Sequence, residues 1–86
     1  MKVAETIQAK LTAAFAPQSL VIVDESHKHA GHVGARPEGE THFRVEIVSS
    51  AFEGKSRVER QRMVYDLLHE EIAGPVHALS ISAQVP

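Results

Sequence analysis

The sequence predicts an α+β fold in which a three-stranded sheet carries its helices on one face. Apolar residues recur at helical spacing near the start of the chain and in its second half. Three other segments are rich in β-branched residues, as strands are. The predicted order is therefore helix, strand, strand, short helix, long helix, strand. With 86 residues, the chain 1–86 is expected to form a single domain around one core.

The first half of the chain contains a helix, a strand and a loop. Residues 2–15 have apolar side chains at helical spacing, and Pro17 ends that predicted helix. The segment 19–26, SLVIVDES, predicts the first strand. Residues 27–39 contain three glycines and a proline without apolar periodicity. They predict a loop of a length that is uncommon in compact domains and is often functional.

The second strand is predicted over residues 41–48, THFRVEIV, because polar and apolar residues alternate there. One face of this strand is expected to be buried and carries Phe43, Val45 and Ile47. The other face carries His42, Arg44 and Glu46. The following stretch, SSAFEGKS, predicts a turn or short helix that Phe52 anchors in the core.

A capping box opens the long helix. Ser56 and Glu59 have the spacing at which each side chain bonds the other residue's backbone N–H. Gly74 and Pro75 end the helix. Its buried stripe is expected to comprise Val64, Leu67, Leu68 and Ile72. Residues 76–85 predict the last strand, with one face formed by Leu79, Ile81 and Ala83.

The composition limits the classes of function. The formal net charge of −2 and the pI near 6.3 disfavour a sequence-independent DNA-binding protein. No apolar run is long enough to span a membrane, and the N-terminus does not read as a signal peptide. Cysteine is absent, so the chain itself offers neither disulfides nor thiolate ligands. We therefore expect a cytoplasmic protein.

A cluster of basic residues lies where the long helix begins, and it comprises Lys55, Arg57, Arg60 and Arg62. Such a cluster is either a solvated helix face or a docking surface for nucleic acid or protein. Glu53 and Glu59 lie among these residues and weaken their field.

Histidines are concentrated in the stretch SHKHAGH, which contains His27, His29 and His32. Neutral imidazole is a good ligand for zinc, copper and iron. A structural zinc site would normally need four ligands, usually including cysteine. The three histidines are therefore idle surface residues, a metal site, or part of a site that a partner completes. A bent loop could bring His29 together with His32 or with His77, and no ligand role is expected of His42 or His69.

The segment THFRVEIVSSAFEGKSRVERQRMVYDLL, followed by GPVHALSISAQVP, resembles the BolA family. The resemblance covers nearly the whole chain, and THF, FEGKS, RVERQRMVY and VHALSI are its most specific pieces. It implies the helix–strand–strand–helix–helix–strand order derived above, in a topology similar to a class II KH domain. The sequence departs from the family at Gln61, where many members have histidine.

The resemblance also implies a function. BolA-like proteins pair with monothiol glutaredoxins and share a two-iron two-sulfur cluster with them. The glutaredoxin supplies a cysteine and a bound glutathione thiolate. Here His77 of the VHAL motif would be one ligand, and a loop histidine, His32 or else His29, would be the second. Two imidazoles ligate one iron in the same way in Rieske centres.

Iron–sulfur trafficking or iron sensing by a non-enzymatic adaptor is therefore the main expectation. The isolated chain, as a monomer or weak homodimer, is expected to hold no cluster. The alternative is a DNA-binding transcriptional regulator that uses the KH-like surface between the short and long helices. In that case the phosphate contacts would come from Lys55, Arg57, Arg60 and Arg62.

Overall fold

A computed structural model of the chain describes residues 2–25 and 41–86. Its elements follow the predicted order, and the fold is α+β as expected. They are α1 (Val3–Phe15), β1 (Ser19–Asp24), β2 (His42–Val48), a 3-10 turn (Ser50–Phe52), α2 (Arg57–Leu67), α3 (His69–Ala73) and β3 (Ala78–Gln84). The predicted loop over residues 27–39 lies outside the described residues, and the likeness to class II KH domains stays a prediction.

The sheet has the strand order β1-β2-β3. β1 pairs with β2 antiparallel, and β2 pairs with β3 parallel, so β2 is the central strand. Its alternation confirms the predicted faces, since Phe43, Val45 and Ile47 are buried whereas Arg44 is exposed. The helices contribute to the same core, which comprises Ile7, Leu11, Phe43, Val45, Ile47, Phe52, Val64, Leu68, Val76 and Ala83.

The end of α1 is fastened to the end of β2. Ala16 closes the helix in a left-handed conformation, with φ of 42°, and its N–H donates to the Thr12 carbonyl. The fully buried Ser49 donates its hydroxyl to the Phe15 carbonyl at 2.6 Å and accepts from the Ala51 N–H at 3.1 Å. One side chain therefore connects α1, β2 and the 3-10 turn that follows β2.

The predicted long helix is divided in two. Leu68, with φ of −101° and ψ of 18°, separates α2 from α3. Val64 and Leu68 are buried and Leu67 packs against the core, as expected. The placement of Ile72 in the buried stripe is wrong, because this residue is 37% exposed. The interruption at Leu68 shifts α3 out of the helical phase of α2, so the spacing that predicted Ile72 no longer applies.

The capping box at the start of α2 is confirmed. The Ser56 hydroxyl accepts from the Glu59 N–H at 3.2 Å, and the Glu59 carboxylate accepts from the Ser56 N–H at 2.9 Å. The backbone hydrogen bond from Ser56 is the main cause that lowers the pKa of Glu59 below its ordinary 4.5, and the nearby charges of Lys55 and Arg62 add to it. The ionised carboxylate is therefore favoured by the folded state.

This lowered pKa predicts a pH-dependent contribution to folding. A carboxyl whose pKa is lower in the folded state stabilises the protein above the unfolded pKa, and that contribution is lost as pH falls through the folded pKa. Glu59→Gln is expected to be less stable than the parent at neutral pH and equally stable in acid, once the carboxyl is protonated in both states. Urea unfolding at a series of pH values measures the difference. The control Glu53→Gln removes the same charge outside the capping box, and an equal pH profile for both variants would contradict the assignment.

Within the described ranges, no helix has both the length and the apolar character needed to cross a membrane.

Candidate functional site

His77 lies immediately before β3, at the point where that strand joins the start of β2. Its backbone N–H donates to the Thr41 carbonyl at 2.7 Å, and the Ala78 N–H shares the same acceptor at 3.2 Å. The side chain of His77 is exposed. Its backbone is therefore fixed by the sheet while its imidazole is accessible to solvent.

A second histidine, His42, lies beside His77. The ring centroids are 6.2 Å apart and the ring planes are 16° from parallel. The pair forms because parallel pairing places His42 opposite Ala78, the neighbour of His77. No local pattern in the sequence connects these two residues. A signal was nevertheless present, since the histidine of TH begins β2 and that of VH immediately precedes β3.

Thr41 forms hydrogen bonds with both histidines. It is fully buried, its carbonyl accepts from His77, and its Oγ1 lies 2.8 Å from Nδ1 of His42. When that Nδ1 carries the proton and donates to the hydroxyl, Nε2 retains the lone pair with which imidazole binds metals. The arrangement thus fixes the orientation of one imidazole and the backbone of the other.

The two loop histidines predicted as ligands are not among the described residues. His29 and His32 lie outside them, so the choice between these two stays a prediction. His69 is on α3, where its Nδ1 donates to the Asp66 carbonyl at 2.8 Å. In the part of the chain that the structure describes, no three metal-ligating side chains converge.

Charges on the open face of the sheet compensate one another near His42. Arg44 Nε lies 3.2 Å from a carboxylate oxygen of Glu25, and Arg44 Nη1 lies 2.6 Å from one of Glu46. The face beside the histidines therefore carries both signs of charge rather than a single strong field.

The predicted basic cluster has a mixed role. Lys55, Arg57 and Arg62 are exposed. Arg60 instead donates through Nε to the Lys55 carbonyl at 3.0 Å and through Nη1 to the Ala83 carbonyl at 3.2 Å. Arg60 thereby connects α2 to β3. Fewer of the four basic side chains are therefore available to bind nucleic acid than the sequence predicted.

Comparison with known proteins agrees with this architecture. A family model described as BolA-like protein matches residues 11–86. BolA-like protein 1 of Mus musculus is 51% identical over 80 residues, which cover 93% of this chain and 56% of the mouse protein. SufE-like protein 1 of Arabidopsis thaliana is 48% identical over 84 residues, but this match covers only 23% of that protein. The chain thus spans about half or less of these two relatives.

Solved structures give the same result. BolA1 from Arabidopsis thaliana is similar with a TM-score of 0.89 and 45% identity, over 100% of this chain and 94% of that one. The BolA domain of SufE1 from the same plant is similar with a TM-score of 0.86 and 47% identity, over 96% of this chain and 91% of that one. The chain belongs to the BolA-like protein family.

Proposed function

We propose that this protein is a non-enzymatic adaptor that binds a monothiol glutaredoxin and shares a two-iron two-sulfur cluster with it, in iron–sulfur trafficking or iron sensing. The observation that carries the proposal is the position of His77 in a chain of this family. Its ring is exposed, and its backbone is held by the buried Thr41 at the junction of β2 and β3.

The donor chemistry of the chain fits half of such a site. It has six histidines and no cysteine, so imidazoles are its only nitrogen or sulfur ligands of the kind that iron–sulfur clusters use. His77 and one loop histidine, His32 or His29, would supply them. The thiolates would come from the glutaredoxin cysteine and from glutathione. A reducing compartment such as the cytosol suits this arrangement.

Anaerobic mixing with a monothiol glutaredoxin, glutathione, iron and sulfide tests the proposal. We expect a one-to-one complex whose visible circular dichroism differs from that of the glutaredoxin cluster alone, because imidazole changes the ligand field of one iron. The chain without glutaredoxin is the control and is expected to remain colourless. If the mixture shows only the spectrum of the glutaredoxin cluster and the proteins elute separately, the proposal fails.

DNA binding is the alternative proposal, and the exposed Lys55, Arg57 and Arg62 at the start of α2 favour it. Affinity for duplex DNA should then fall by about 0.9 log units per log unit of salt for each phosphate contacted. Arg62→Gln should reduce the magnitude of this slope by about 1, which corresponds to the loss of one phosphate contact. A salt titration followed by fluorescence anisotropy measures both quantities. Undetectable binding at low salt would rule out direct DNA binding.

A further inference from the structure

β3 forms an edge of the sheet, and its hydrogen-bonding groups alternate in direction. The Ala78 N–H donates to Thr41 and the Gln84 carbonyl accepts from Ser49, so the even-numbered residues of β3 face β2. The backbone groups of the odd-numbered residues therefore point outward. They belong to Leu79, Ile81 and Ala83.

Side chains of α2 donate hydrogen bonds to the outward carbonyls of β3. Tyr65 Oη donates to the Leu79 carbonyl at 2.8 Å, Gln61 Nε2 to that of Ile81 at 3.5 Å, and Arg60 Nη1 to that of Ala83 at 3.2 Å. Each of the three outward carbonyls therefore accepts from a different side chain of α2.

The matching N–H groups are not used in this way. Those of Ile81 and Ala83 point to the same side as their carbonyls, and neither donates to another residue within the described ranges. Along this part of the edge, the N–H donors are therefore available, whereas the carbonyl acceptors are already hydrogen-bonded to α2.

A polar groove of about 480 Å³ lies along this edge. It is lined by Arg57, Arg60, Gln61, Ile81, Ser82, Ala83 and Gln84, with no acidic residue among them. The Arg57 side chain is exposed and forms no ion pair or hydrogen bond within the part of the chain that the structure describes. The exposed guanidinium of Arg57 and two outward N–H groups thus face the same space.

We propose that this groove binds a small molecule that carries two anionic oxygen groups, either carboxylates or phosphates. Such groups accept hydrogen bonds from N–H groups and from guanidinium, which are the donors present. A β-strand from a second copy fits less well, because its N–H groups would need the carbonyls that α2 already occupies. The N–H groups of Ile81 and Ala83 are two residues apart, about 7 Å along a strand. One carboxylate cannot accept from both N–H groups across that distance, so a ligand that uses both must carry two anionic groups.

Amide NMR titration of the isolated protein with citrate, against sodium chloride at the same ionic strength, tests the proposal. We expect the amide signals of Ile81 and Ala83 to move and those of Ser80 and Ser82, which face β2, to move much less. Inorganic phosphate, with one anionic group, is expected to bind more weakly than citrate. Shifts without this alternation, or tighter binding of phosphate, would overturn the proposal.

Matched arginine variants complete the test. Arg57→Gln should weaken citrate binding by about threefold, the effect of an exposed ion pair. Arg62→Gln removes the same charge from the same helix outside the groove and should leave the affinity unchanged. Equal losses in both variants would show general attraction to the basic helix and overturn the site. Neither measurement requires glutaredoxin or iron, so the result does not depend on the proposed adaptor function.

Discussion

Phe52→Ala is expected to lower the free energy of unfolding by about 3–5 kcal/mol, the usual cost of removing a buried aromatic ring. Phe52 is fully buried, and its ring centroid lies 5.0 Å from that of Phe15. It also fixes the 3-10 turn against the core, where Ser49 caps that turn. A domain of 86 residues has a total stability of about 4–13 kcal/mol, so this loss is a large share of it.

Urea unfolding followed by far-ultraviolet circular dichroism measures the effect of Phe52→Ala. Val58→Ala is the matched control, because Val58 is 57% exposed and its truncation should change stability by less than about 0.5 kcal/mol. A loss below about 1 kcal/mol for Phe52→Ala would mean that the 3-10 turn is not anchored in the core as described.

Local patterns were sufficient to predict most of the fold. The alternation over residues 41–48 identified the buried face of β2, and the Ser56–Glu59 spacing located the start of α2. Both predictions depend on residues within a few positions of one another. The division of the predicted long helix at Leu68 was missed because the residues next to Leu68 include neither glycine nor proline. The spacing that predicted a buried Ile72 assumes an uninterrupted helix.

The candidate site was predicted less completely than the fold. His77 was identified through the family resemblance, whereas its contact with His42 depends on the parallel pairing of β2 with β3. That pairing joins segments far apart in the sequence, and no local pattern specifies its register. Thr41 was missed for the same reason, since its role depends on burial and on a hydrogen bond to β3. Consequently, the expectation that His42 is dispensable did not take its contact with the ring of His77 into account.

His77→Ala is expected to remove the shared cluster from the mixed complex, or to shorten its lifetime at least tenfold. Loss of only a supporting partner of a metal ligand already costs about 10–100-fold in affinity. Among the described residues, the nearest imidazole is that of His42, centred 6.2 Å away. It would have to leave the Thr41 hydroxyl to take the place of His77.

Visible circular dichroism of the complex, recorded over time after anaerobic desalting, measures that lifetime. Far-ultraviolet spectra should be unchanged, because His77 is exposed and its removal should not affect the core. His69→Ala is the matched control, since His69 is an exposed histidine on α3 whose ring bonds the Asp66 carbonyl of α2. His42→Ala is a separate variant rather than a control, because its ring lies beside that of His77.

The loop histidines should behave differently from His77. His32→Ala is expected to change the spectrum only partly, because His29 lies three positions earlier and offers the same donor atom. The double change at His29 and His32 should cost more than the two single changes added together, as groups that substitute for one another do. An unchanged spectrum and lifetime in His77→Ala would show that this residue is not a ligand, even if the complex with glutaredoxin forms. In that case the stacked His42 would be the next residue to change, because Thr41 already orients its ring.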